Sequence, residues 1–134
     1  MPRPTLPTLP TLPTDAELAI LGVLWRRGPS TVREVHDALS PTQGTGYTTV
    51  LKLMQLMAQK GLVIRDESQR SHVYRPASAE AQTQRRLIGD LMDKAFSGSA
   101  AQLVMRALSV KPASKGELEE IRHLLDELAA KERK

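Results

Sequence analysis

Cysteine is missing from all 134 residues. That excludes disulfides, thiolate metal sites and thiol nucleophiles. Three histidines, His36, His72 and His123, are scattered and make a poor metal set without it. No metal and no other cofactor is expected. Aromatics are scarce: one Trp, two Tyr and one Phe. The core must then be aliphatic, built from Leu, Val, Ile, Ala and Met. So few rings also argue against a module that stacks single-stranded bases. No apolar run approaches the roughly 18 residues of a membrane span, and no secretory core follows the start. A cytoplasmic protein is the expectation. No paired carboxylates, glycine-rich phosphate loop or nucleophile motif stands out, so an enzyme is not expected.

Acidic residues are absent from two stretches. Ala38 to Arg65 holds Lys52, Lys60 and Arg65 with no carboxylate, and Ser68 to Ala79 holds Arg70, His72 and Arg75 with none. A carboxylate near phosphate repels it, whereas each Lys or Arg releases counterions on binding. Taken alone, such a stretch is more simply a solvated face. The net charge of +4 is only mildly basic. The excess lies in residues 1–76, with nine basic against six acidic residues; residues 77–134 hold ten against nine.

What is present gives the acid-free stretch a shape. Val50, Leu53, Met54 and Met57 recur at helical spacing and line one face. Thr48, Thr49, Lys52, Gln55 and Gln59 take the other. Gly61 stops the helix. Leu62 to Ile64 reads as a strand, Glu67 to Arg70 as a turn, and Ser71 to Arg75 as a returning strand ended by Pro76. A helix with a polar, non-acidic face followed by a hairpin is the reading half of a winged helix-turn-helix. The helix fits a major groove about 12 Å wide, and the hairpin reaches the neighbouring backbone.

The flanking chain agrees. Residues 4–14 repeat Pro-Thr-Leu, a polyproline-like pattern read as a flexible leader over 1–13. Thr14 and Glu17 form a capping box, and the helix behind them carries Leu18, Ile20, Leu21, Leu24 and Trp25, the Trp as a core anchor. Gly28-Pro29 ends it. Thr31 and Glu34 form a second box over a helix of about two turns bearing Val32, Val35 and Leu39. Ser40 to Gly44 reads as a loop. Ser30 to Val32 can also supply a small third strand beside the wing. The winged domain is thus expected over 14–76.

Residues 77–134 read as three amphipathic helices. The first carries Leu87, Ile88, Leu91, Met92 and Phe96; the second Leu103, Val104 and Leu108; the third, behind a Ser114–Glu117 capping box, Leu118, Ile121, Leu125 and Leu128. Such stripes are too wide for one small bundle. They are expected to pair with a second copy as a dimerisation domain, in preference to an intramolecular bundle packed on the N-terminal half. The fold class is therefore mainly α with a small β-hairpin wing: a winged helix-turn-helix DNA-binding domain plus a three-helix dimerisation domain.

Each candidate contact has a physical reason. Thr45, Tyr47 and Thr48 lie at the helix N-terminus, where hydroxyls and free N–H groups meet phosphate. Thr49 and Lys52 lie further along the outward face, within reach of base edges, and Gln55 is a weaker candidate. Arg65 and Arg70 on the wing neutralise phosphates. His72 is as readily a solvated strand position as a phosphate contact. Each Thr has helix capping as its plainer role, and Tyr47 has partial burial.

These residues resemble the penicillinase-repressor family of winged-helix transcriptional repressors (BlaI/MecI type). The matching elements are Glu17 with Leu21-Gly22-Val23-Leu24-Trp25, Gly28 to Val35, Tyr47-Thr48-Thr49-Val50, Lys60-Gly61-Leu62-Val63, Arg70, and Tyr74-Arg75-Pro76. Phe96-Ser97-Gly98-Ser99 and Leu103-Val104 follow downstream. The resemblance implies a homodimeric repressor on a pseudo-palindromic operator. It also implies release by proteolysis in the C-terminal domain, triggered by a membrane metalloprotease sensor answering a beta-lactam or cell-wall signal, as in antibiotic-resistance systems. By position the cleaved bond falls near Arg106-Ala107, where the sequence departs from the Asn-Phe pair of the best-known members. The cysteine-rich metal site of copper-responsive relatives has no counterpart. Gln69 replaces the usual Gly before the wing Arg. The alternative is a winged-helix protein–protein adaptor without specific DNA binding.

Overall fold

The computed structural model describes residues 11–133. Most of the Pro-Thr-Leu leader lies outside them. The chain divides into two compact units between Leu87 and Ile88, inside its fourth helix.

The first unit begins with α1 (Asp15–Arg27). Thr14 and Glu17 cap it reciprocally: the Glu17 N–H donates to Thr14 Oγ1 at 3.3 Å, and the Thr14 N–H to Glu17 Oε1 at 2.9 Å. Strand β1 (Ser30–Thr31) and helix α2 (Val32–Gln43) follow, with Thr31 and Glu34 forming the second capping box. Helix α2 runs about three turns rather than two. The expected loop at Ser40–Gly44 is helical up to Gln43. Pro41 sits in the last turn, where the helix is about to end, and the stop comes from Gly44 in the left-handed region (φ 61°).

Helix α3 (Tyr47–Lys60) starts behind Gly46 with no side-chain cap and ends at Gly61. With φ at 82°, Gly61 turns the chain straight into the wing at a position that penalises a Cβ. Strands β2 (Val63–Asp66) and β3 (Val73–Pro76) form the hairpin, antiparallel with Arg65 opposite Tyr74 and Asp66 opposite Val73. The loop between them is longer than the expected four-residue turn. It spans residues 67–72, opened by the Ser68 N–H donating to Asp66 Oδ1 at 2.9 Å. Strand β1 pairs with β3, so the sheet order is β1-β3-β2. The small third strand beside the wing is therefore present.

The core is aliphatic, as the shortage of rings requires. Ile20, Leu21, Val23 and Leu24 from α1 meet Val32, Val35 and Leu39 from α2, and Val50, Met54 and Met57 from α3. Leu62, Val63 and Tyr74 close it from the sheet. Leu53 only packs against its margin. Trp25 is not fully enclosed: it packs half-buried on this core, and its indole N–H donates to the Ser78 carbonyl at 3.0 Å. It ties the end of α1 to the segment that leads into α4 (Glu80–Ala95), whose Thr83 is buried.

The second unit comprises the end of α4, helix α5 (Ala100–Val110) and helix α6 (Lys115–Glu132). Ser99 caps α5 through the Gln102 N–H at 3.1 Å, and Ser114 and Glu117 form the third capping box on α6. Neither α5 nor α6 buries a single residue. Met92, Phe96, Leu103, Leu108 and Ile121 are half-buried. Ile88, Leu91, Val104, Leu118, Leu125 and Leu128 are exposed, together with Met105, Val110 and Leu124.

Candidate nucleic-acid interface

Helix α3 is two-sided. Val50, Met54 and Met57 are buried, while Thr48, Thr49, Lys52, Gln55 and Gln59 are exposed. The inward side is fixed by the apolar spacing, so the polar side has nowhere to go but out. Lys52 has no ion-pair partner among the described residues, which leaves its ammonium for an outside anion. Thr45 lies before the helix, half-buried, because the first helical residue is Tyr47. With Gly46 as N-cap, no side chain satisfies the first N–H groups of α3. Those donors, with the positive end of the helix dipole, remain available to an anion.

Beside this face lies a cleft of about 290 Å³, walled by α2, α3 and the wing. It gathers Arg33, Tyr47, Gln55, Arg65, Arg70 and His72. Thus five of the residues picked from the sequence converge on one cavity, and Thr48, Thr49 and Lys52 stay on the open face outside it. The Arg65 guanidinium is held above its ordinary pKa, first by donating to the Tyr74 hydroxyl and then by Glu67. It is a cation tied to the buried Tyr74 through the phenol hydroxyl, with one carboxylate, Glu67, beside it. Asp66 titrates below its ordinary range because the Ser68 N–H and hydroxyl hold its carboxylate.

Two basic residues have partners that the sequence alone does not show. Lys60 does not serve the reading face: its ammonium donates to the buried Glu17 carboxylate at 2.8 Å. Arg33 went unread as a contact, because it sits on α2, whose pattern showed only a capping box and the apolar Val32, Val35 and Leu39. Its guanidinium carbon lies 4.8 Å from the centroid of the Tyr47 ring. His36 meets the same ring at its edge, with centroids 6.0 Å apart and planes at 71°. Spacing along one helix cannot reveal a stack between two helices.

Arg106 and Ala107 lie exposed in the second half of α5, where the Arg106 carbonyl accepts the Ser109 hydroxyl at 2.9 Å. Among the described residues no group of three or more His, Asp or Glu side chains is placed to hold a metal, and no helix is long and apolar enough to cross a membrane.

Three helices closed by a β-wing, with an outward polar face on the third helix and a basic cleft beside it, define the winged-helix class of regulators. The penicillinase repressor family matches residues 13–127, and the chain belongs to that family. It is a transcriptional regulator and not an enzyme. The transcriptional regulator BlaI of Mycobacterium tuberculosis is 33% identical over 117 residues, covering 87% of this chain and 84% of that protein. Among solved structures, the DNA-binding domain of the repressor BlaI is 26% identical with a TM-score of 0.49, covering 57% of this chain and 92% of that one. The monomeric form of Bacillus licheniformis BlaI in complex with the blaP half-operator is 27% identical with a TM-score of 0.46, covering 53% and 89%.

Proposed function

We propose that this chain is a repressor that binds a pseudo-palindromic operator in double-stranded DNA as a homodimer. The observation that carries the reading is the pairing of two surfaces. An acid-free helix face bearing Thr48, Thr49 and Lys52 suits base edges, and the neighbouring cleft bearing Arg65 and Arg70 suits the backbone. Membership of the penicillinase repressor family supports the same reading.

The second unit, with Leu87 just before it, supplies the dimer. Leu87, Ile88, Leu91, Met92, Phe96, Leu103, Val104, Leu108, Leu118, Ile121, Leu125 and Leu128 form its contact. Support comes from α5 and α6, which bury no residue within one chain and so leave their apolar stripes unsatisfied. A two-fold pair reads two half-sites about 34 Å apart or a multiple of that, and roughly adds their binding energies. The domain division proposed here keeps 14–76 as the reader and 77–134 as the dimerisation part.

Release follows proteolysis near Arg106-Ala107, set off by a membrane metalloprotease sensor that answers a beta-lactam or cell-wall signal. The repressor itself works in the cytoplasm. That bond is helical, so the protease must catch a locally opened α5. The test is to capture genomic fragments with the purified protein and sequence them. Enrichment of an inverted repeat is the expected result. Uniform recovery of all sequences would overturn the repressor reading and favour a protein-binding adaptor.

A further inference from the structure

We propose that Arg33 is a DNA-backbone contact and that α2, not only α3 and the wing, forms one wall of a clamp on a single phosphate. The inference rests on the duplex-reading function above and adds a residue and a place to it.

Arg33 is exposed on α2, and its guanidinium faces the Tyr47 ring at 4.8 Å. Tyr47 is itself 38% exposed, at the first position of α3. A guanidinium is planar, and its five N–H donors radiate in the plane. Lying over a ring face therefore steadies the group without using its donors. His36 closes on the edge of the same ring, so the phenol is held by two neighbours from α2. Arg33, from α2, lines the same cleft as Arg65, Arg70 and His72 of the wing.

The nearby carboxylates are engaged elsewhere. Glu34 accepts from the Thr31 N–H at 2.9 Å and from Arg27 at 2.7 Å, Asp37 contacts His36 Nδ1 at 3.0 Å, and Glu67 pairs with Arg65. Among the described residues Arg33 has no carboxylate partner. A cleft of about 290 Å³ with arginines on both walls is too polar and too open to bury an apolar ligand. It matches a phosphodiester, an anion with two exposed oxygens that planar donors can bracket.

The experiment is fluorescence anisotropy on the full-length protein across a potassium chloride series. Two duplexes are compared: one enriched by the wild-type protein from a random-sequence pool, and one scrambled. Arg33→Ala is expected to reduce the log K against log salt slope by about one and to weaken both duplexes roughly tenfold. Arg33→Lys keeps the slope but binds more weakly, since an ammonium has no plane to stack. Tyr47→Leu weakens the wild type yet adds little to Arg33→Ala, because the ring acts through the guanidinium. Circular dichroism checks folding, and Arg33→Gln carries the same expectation as Arg33→Ala should the alanine variant misfold. An unchanged slope in the folded Arg33 variant, with a reduced slope in Lys52→Ala, overturns the clamp and leaves the duplex reading standing. Equal wild-type binding to both duplexes overturns the operator reading, and the clamp with it if the Arg33 slope is also unchanged.

Discussion

Lys60 donates to Glu17 at 2.8 Å, joining the last turn of α3 to the first turn of α1. Glu17 is 1% exposed and Lys60 36%. The same carboxylate caps α1 through the Thr14 N–H, so one side chain fixes both the start of the domain and the far end of the reading helix. Burial raises the Glu17 pKa, but the Lys60 hydrogen bond and the Thr14 N–H outweigh it, and the net shift is below the ordinary 4.5. A depressed carboxylate contributes stability that is present above its unfolded pKa and lost as pH falls through the folded value. Urea midpoints should therefore fall as the solution is acidified below about 4.5. In Lys60→Met only the Thr14 bonds still oppose burial, so this group's share of the acid loss should shrink. The substitution should cost roughly 1–2 kcal/mol at neutral pH, discounted because Lys60 is partly in water. Equal acid profiles for the two proteins would contradict this.

Lys52 and Arg70 reach the duplex from different places, the open face of α3 and the wing beside the cleft. Each should account for about one unit of salt slope if it neutralises a phosphate. Lys52→Ala and Arg70→Ala should each weaken binding, and the double variant should lose the two contributions together, since the residues share no partner. Gel-shift titration over a salt series reads this. Slopes identical to wild type for both variants would remove them as phosphate contacts.

Much of the helical framework was legible because its signals are local. Three capping boxes lie within four residues each, and Thr14, Thr31 and Ser114 each carry one in the structure. The two-sided character of α3 follows from spacing alone. What escaped needed two elements at once. The Lys60–Glu17 pair escaped because its two residues lie 43 positions apart. Arg33 escaped as a contact because the ring it lies over belongs to the next helix. The extension of α2 through Pro41 escaped because proline is penalised through its effect on the preceding turn, and here α2 ends two residues later. The candidate contacts themselves were legible as a list. Their sorting into an open face and a cleft was not, because that depends on how the wing folds back.

Gly61 should resist replacement by an ordinary side chain. Its φ of 82° places it in the left-handed region while its N–H bonds the Ala58 and Met57 carbonyls. Gly61→Ala should cost on the order of 1 kcal/mol, and Gly61→Asn less, because Asn accepts that conformation more readily. Urea denaturation measures the difference. An alanine variant as stable as the wild type would mean that the α3–wing junction can relax.

Leu118 and Leu125 lie one helical face apart from the charged side of α6, and both are exposed, Leu125 at 58%. Within one chain neither is covered, so a charge there should do little harm to the fold of the first unit. Across a dimer contact it should do much, because a carboxylate would be buried against leucines without a partner. Leu118→Asp and Leu125→Asp should therefore move the protein from dimer to monomer in sedimentation equilibrium, with the buried core of α1 to α3 intact by circular dichroism. Operator affinity should fall by at least roughly a hundredfold, since the second half-site no longer adds its energy. Single half-site duplexes should bind nearly as before. A variant that stays dimeric, or a wild type that is monomeric at working concentration, would show that these leucines do not make the contact.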